Sequence, residues 1–244
     1  MDQLTGFTHE YDGERLSGVR APAARGTDGT GGPVAVLLHG AGNGSERRLR
    51  PLLAEFAAHG CPALAFDFSG HGESTGTLKE LSLRRRFEQA TAVIDAQAGS
   101  ERPLILVGFS MSGQTVADLV RHYGDRARAI GLCSPAVYTP QAWDVPFGDG
   151  TGRFTELIRT PDAWRTSPAL EVLRSYAGRA VLAVPGTDAV IPPQVTAALQ
   201  DALRTRSRYT RFELPDAEHR LGLWFRDHPV DRREFVALLL KHHG

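Results

Sequence analysis

Pro103-Leu104-Ile105-Leu106-Val107-Gly108-Phe109-Ser110-Met111-Ser112-Gly113-Gln114-Thr115-Val116-Ala117-Asp118 is the stretch that decides how this chain reads. An apolar run ends in Gly-Phe-Ser-Met-Ser-Gly and passes straight into a helical pattern. A serine at such a strand-to-helix junction sits on a sharp turn. Small neighbours let the chain reverse, and the hydroxyl is thrown clear of the sheet. The helix that follows brings free N–H groups and partial positive charge to the same point. These features make Ser110 a candidate nucleophile. The plain alternative is that Ser110 only caps a helix, a role serine favours. The spelling also departs from the usual G-x-S-x-G, because Ser112 holds the fifth position and Gly113 comes one place later. Ser112 is small enough to let helix and strand approach, and it adds a second hydroxyl beside the first.

The rest of the chain bounds the choice. Its 244 residues suit one α/β domain, and 41% hydrophobic residues supply a sizeable core. Lys+Arg and Asp+Glu both number 28, so the balance gives no reason to expect a nucleic-acid or anionic-membrane partner. Arg84-Arg85-Arg86 and Arg204, Arg206 and Arg208 read as solvated faces. The two cysteines, Cys61 and Cys133, read as buried free thiols, which fits a reducing cytoplasm and leaves no cysteine metal site. The first residues lack the basic and apolar regions of a signal peptide, and no apolar run has the length of a membrane span. No internal repeat is visible. A cytoplasmic protein without membrane contact is the expectation.

Along the chain, residues 5–20 read as two polar strands joined at Asp12-Gly13, and residues 21–33 as an exposed loop. Strands are expected at 34–38, 63–68, 104–109, 129–133, 180–184 and 207–214. Helices are expected at 47–59, 81–96, 112–123, 195–203 and 232–242. Residues 136–178, with five prolines counting Pro135 just before them and with Tyr138, Trp143, Phe147, Phe154 and Trp164, break the rhythm and read as an insertion over one end of the sheet. Alternating strands and helices imply a mainly parallel sheet covered on both faces. Such sheets bind ligands beyond the carboxyl ends of their strands, so loops after strands are the places to search.

A serine hydroxyl needs a base, usually a histidine held by a carboxylate. In doubly wound hydrolases the order is serine, acid, histidine. Asp188 lies in the turn after the 180–184 strand and is the acid candidate, although aspartate is also an ordinary turn residue. Asp216 is the weaker rival, since it shares a loop with the histidine. His219 follows the 207–214 strand and is the base candidate. The N–H groups of Met111 and Ala41 are the expected oxyanion donors, with Gly40 or Gly42 as alternatives to Ala41. His39 reads as a residue orienting that loop. The 67–74 turn, Asp67-Phe68-Ser69-Gly70-His71-Gly72-Glu73-Ser74, shapes the edge of the site, with His71 a minor candidate for chemistry. No metal-ligand spacing and no cofactor site are recognised.

Taken together, the 39–44 loop, the 67–74 turn, the Ser110 elbow, the Asp188 turn and the His219 loop resemble the α/β-hydrolase superfamily. The closest likeness is to its small microbial serine esterases, of the feruloyl-esterase-like and serine-aminopeptidase-like branch. That resemblance implies an α/β fold with an eight-stranded, mostly parallel sheet, helices on both faces and a short cap at 136–178 within a single domain. It also implies hydrolysis of a carboxylic ester, or a related acyl bond, in a small-molecule substrate, through Ser110, Asp188 and His219. Thioesters, amides or acyl transfer are the alternatives on the same residues. A non-catalytic ligand-binding descendant is a further one. The Gly40-Ala41-Gly42-Asn43-Gly44 loop after a strand gives a loose dinucleotide-binding pattern as the last alternative.

Overall fold

A computed structural model describes residues 4–24 and 31–241. Residues 25–30 of the expected 21–33 loop, together with His242 and His243, lie outside them. The fold opens with a hairpin of β1 (Thr5–Tyr11) and β2 (Glu14–Ala21). Asp12 and Gly13 both take positive φ, 49° and 76°, as a tight two-residue hairpin turn demands. The chain then alternates through β3 (Val34–Leu38), α1 (Arg50–Ala58), β4 (Ala63–Phe66), α2 (Leu83–Ala98), β5 (Leu104–Phe109) and α3 (Ser112–Tyr123). After β6 (Ala127–Cys133) come α4 (Arg153–Arg159), α5 (Pro168–Ser175), β7 (Arg179–Pro185), α6 (Pro193–Arg204), β8 (Arg208–Leu214), α7 (Leu221–Asp227) and α8 (Pro229–Leu240).

The sheet has eight strands in the order β1-β2-β4-β3-β5-β6-β7-β8. β1 and β2 pair antiparallel, the hairpin joins the sheet antiparallel through β2 and β4, and the other five pairings are parallel. The central strands are buried on both faces, which is why they read as unbroken apolar runs. Alternation sorts their side chains. Val36, Leu38, Leu104 and Leu106 meet α2, α3, α5 and α6, while Ala35, Leu37, Ile105 and Val107 meet α1, α7 and α8.

Residues 136–178 divide by packing. Ala169 and Leu173 of α5 join the main core against α3 and α6. Phe154 and Ala142 instead form a separate small cluster with Leu83 and Met111, where Phe147 packs at a tilt against Phe154 with centroids 4.4 Å apart. Gln114 of α3 ties this segment down. Its side-chain oxygen accepts from the Tyr138 N–H and the Ser167 hydroxyl, both at 3.1 Å, and its amide donates to both oxygens of Asp118.

Among the described residues, α4, α5 and α7 are helices the sequence pattern failed to reveal, and α8 begins three residues ahead of the expected 232. Pro229 at the first turn was the available signal for the latter. No helix among the described residues is long and apolar enough to cross a membrane. Cys61 and Cys133 are buried free thiols.

Burial pushes the Asp118 carboxyl up to about 7, against the opposing influence of the Gln114 hydrogen bond and the Arg121 charge. The folded state therefore holds this proton more tightly than the unfolded chain, whose ordinary value is 3.8. That contribution favours folding below the ordinary value and is lost as pH rises through about 7. Asp118→Asn is expected to gain stability relative to the parent as pH rises from about 4 to about 7. Thermal unfolding across that range checks this, and a pH-independent difference counts against it.

Candidate active site

The turn from β5 into α3 forces Ser110 to φ 51°, in the left-handed region that a serine occupies at a cost of order 1–3 kcal/mol. Three main-chain bonds hold it there. The Ser110 N–H donates to the Cys133 carbonyl at 2.9 Å, and the Ser110 carbonyl accepts from Gly113 at 2.8 Å and from Ala136 at 2.9 Å. Gly108 is required below the turn, because a Cβ there would lie 2.4 Å from the Ser112 carbonyl oxygen.

The three sequence candidates converge. His219 Nε2 lies 3.0 Å from Ser110 Oγ. His219 Nδ1 lies 3.0 and 3.1 Å from the two oxygens of Asp188. Asp188 is acceptor-only when ionised, so Nδ1 carries the proton toward it and Nε2 is left to accept from the Ser110 hydroxyl. The N–H groups of Val190 and Ile191 orient the Asp188 carboxylate at 2.8 and 3.1 Å. The two turns are joined to each other, since Thr187 donates to the Ala217 carbonyl through both its N–H and its hydroxyl. The exposed Asp216 makes no such contact with His219.

The 39–44 loop lies beside this chain of bonds. Gly40 packs so closely that an added Cβ would be 3.1 Å from Ser110 Cβ. Ala41 lines both a cavity of about 100 Å³ that includes Ser110, Phe109 and His219 and a broader groove of about 570 Å³ beyond it. Met111 buries its side chain in the small apolar cluster of the 136–178 segment. None of Tyr138, Trp143, Phe147, Phe154 and Trp164 lines the cavity at Ser110. Among the described residues no cluster of three metal-ligating side chains occurs.

Behind the loop, two histidines act as spacers. His39 is buried, its Nδ1 at 2.6 Å from the Gly40 carbonyl and its Nε2 accepting from the Phe68 N–H at 3.2 Å. Burial, then the nearby Arg86 charge, holds its pKa well below the ordinary histidine value, so it is neutral. His71 packs its ring against His39 at 4.7 Å and is likewise lowered by burial. It does not line the cavity at Ser110. Asp67 accepts from the Glu46 N–H at 2.7 Å, and a Cβ at Gly72 would collide with its carboxylate.

Arg86 corrects the reading of its cluster as a solvated face. Arg84 and Arg85 make surface pairs with Asp144 and Asp12, but Arg86 is fully buried. Its Nη2 donates to the His39 carbonyl at 2.7 Å and to Ser112 Oγ at 2.8 Å, and its guanidinium lies 3.7 Å from the Phe68 ring centroid. Ser112 Oγ in turn donates to the His39 carbonyl at 2.7 Å. The residue that departs from the usual elbow spelling therefore bridges the elbow to the 39–44 loop. The signal was in the sequence, because Arg86 shares the helical stripe of Leu83, Ala90, Val93 and Ile94. Ser134 was also missed. It follows β6 at φ 46°, and its hydroxyl donates to the His219 carbonyl at 3.0 Å.

Fold and site arrangement together define an α/β-hydrolase. The model of the serine aminopeptidase S33 family matches residues 33–167, and the chain belongs to that family. Among solved structures, the thioesterase domain from the curacin biosynthetic pathway is similar with a TM-score of 0.73 at 16% identity, covering 98% of this chain and 100% of that one. Est1E from Butyrivibrio proteoclasticus with ferulic acid bound gives 0.71 at 16% identity, covering 96% and 99%. At these identities the likeness is one of fold. The multifunctional-autoprocessing repeats-in-toxin of Vibrio cholerae serotype O1 is 27% identical over 129 residues, which is 52% of this chain and 3% of the toxin. The chain thus spans only a few per cent of the length of the curated relatives it matches.

Removing the bridging hydroxyl leaves a buried guanidinium with one partner fewer. Ser112→Ala is expected to cost about 1–3 kcal/mol of stability, read from urea unfolding midpoints. An unchanged midpoint would show that the hydroxyl is dispensable.

Proposed function

We propose that the protein is a serine acyl hydrolase that cleaves a carboxylic ester through an acyl-enzyme. The observation carrying this reading is the hydrogen-bonded series from Ser110 Oγ through His219 to Asp188, with the serine held on a left-handed turn at a helix start. In this scheme Ser110 Oγ attacks the carbonyl carbon as its proton passes to His219 Nε2. Asp188 keeps the ring oriented and balances its charge. The N–H groups of Met111 and Ala41 receive the oxyanion, and Gly40 lets their loop close on Ser110. Collapse expels the alcohol with the proton from His219. Water then attacks the acyl-enzyme by the same route and restores Ser110.

The likeness to Est1E, whose solved complex holds ferulic acid, a carboxylic acid that ester cleavage would release, supports the ester reading. The curacin thioesterase domain and the family's aminopeptidase description keep thioesters and peptides in the test.

The test is a panel of aryl esters, acyl thioesters and aminoacyl peptides, together with labelling by a fluorophosphonate. Ser110→Ala is expected to abolish labelling and turnover, and Asp188→Asn to lower kcat by about 10⁴. Turnover by Ser110→Ala near the parental rate would overturn the mechanism. Peptides processed faster than esters would reassign the substrate.

A further inference from the structure

The small cavity at Ser110 has a mostly apolar wall, with Leu49, Phe109, Leu221 and Leu223, and two cations, Arg48 and Arg220. No carboxylate lines it. Both arginines also line the adjoining groove, where Ala41 and His219 recur and where Glu218 is the only acid.

Three arginines lie on the turn that leads into α1, and two are matched. Arg47 pairs with Glu73 at 2.7 Å and Arg50 with Glu46 at 2.7 Å. Arg48, between them, turns toward the cavity instead. It packs beside Gly222, where an added Cβ would lie 3.8 Å from Arg48 Cβ. Among the described residues, neither the Arg48 nor the Arg220 guanidinium has an ion-pair or hydrogen-bond partner. Asp188, the acid hydrogen-bonded within the site, is already engaged by His219. Two unmatched guanidinia at the rim of a reacting centre are a ready binding arrangement for carboxylate or phosphate oxygens.

We propose that Arg48 and Arg220 form an oxyanion subsite, and that the substrate carries, besides the bond that is cleaved, a free carboxylate or phosphate seated between them. The proposal rests on the acyl-hydrolase reading above, since it names the substrate class of that same site. The shape agrees with it. The apolar wall takes a short carbon framework, and the two cations stand where that framework meets the groove and solvent.

The experiment compares charged esters with neutral counterparts. The pairs are para-nitrophenyl hemiadipate against para-nitrophenyl heptanoate, for charge on the acyl side, and para-acetoxybenzoate against its methyl ester, for charge on the leaving group. Para-acetoxyphenyl phosphate distinguishes phosphate from carboxylate. For at least one charged ester, kcat/KM is expected to exceed that of the neutral partner by about tenfold or more, chiefly through KM, and the advantage shrinks with added salt. Arg48→Gln with Arg220→Gln removes most of that advantage, and the double lysine variant keeps part of it. Ratios near one for every pair, or equal losses on charged and neutral esters in the glutamine variant, overturn the proposal. Calorimetric binding of adipate and of inorganic phosphate to Ser110→Ala separates the two readings. Binding that disappears with the arginines upholds the subsite even if no ester is cleaved. Ester turnover without any such binding or charge preference sinks the subsite alone.

Discussion

The left-handed backbone at Ser110 is the constraint from which the rest of the site follows. A serine does not hold that conformation by preference, so the surroundings must impose it. The neighbouring strand supplies the Cys133 carbonyl for its N–H, and the start of the 136–178 segment supplies the Ala136 N–H for its carbonyl. The bare backbone of Gly108 lets α3 cross close to β5. Only with these in place does Oγ stand clear of the sheet, within reach of a histidine delivered from β8, two strands beyond the adjacent β6.

A second dependence is electrostatic. Arg86 places a full positive charge inside the protein with no carboxylate beside it. Such a charge is tolerated where carbonyl, hydroxyl and aromatic face replace part of its hydration. Here the His39 carbonyl, Ser112 Oγ and the Phe68 ring serve that purpose. Two of these three belong to the elbow and to the loop beside it, so solvating the charge also fixes the distance between them. The neighbouring histidines are held neutral by burial and by the same charge, which spares the region further like-charge repulsion.

Much of this was legible in the residue order. The parallel strands announce themselves because burial on both faces leaves no room for polar residues. The Asp188 and His219 positions follow from a rule about strand ends, which depends on sheet topology and little on local sequence. Two of the hidden side chains share one physical origin. Arg86 and Ser134 act through contacts across the fold, and a polar residue on an apolar stripe looks like surface until its partners are known. The short helix α7 was obscured by Gly222 and by its seven-residue length, too few for a period to assert itself. The aromatic residues of the 136–178 segment were open to two readings, ligand contact or packing. Tyr138, Phe147 and Phe154 pack on one another, Trp143 packs on Phe87 of α2 at 6.0 Å, and Trp164 packs on the main core.

The bond from the Ala136 N–H to the Ser110 carbonyl has a consequence for motion. The segment that follows β6 starts on the elbow itself, and a few residues later it is pinned again through Tyr138 and Gln114. A rigid swing of the whole segment from its first residue would break the bond that keeps the serine in its strained conformation. Any movement of this segment that spares the turn must therefore hinge beyond residue 138, in the stretch running to α4 and α5. Freedom to move and support of the turn are thereby assigned to different parts of one segment, so that its later part can vary while the turn stays fixed.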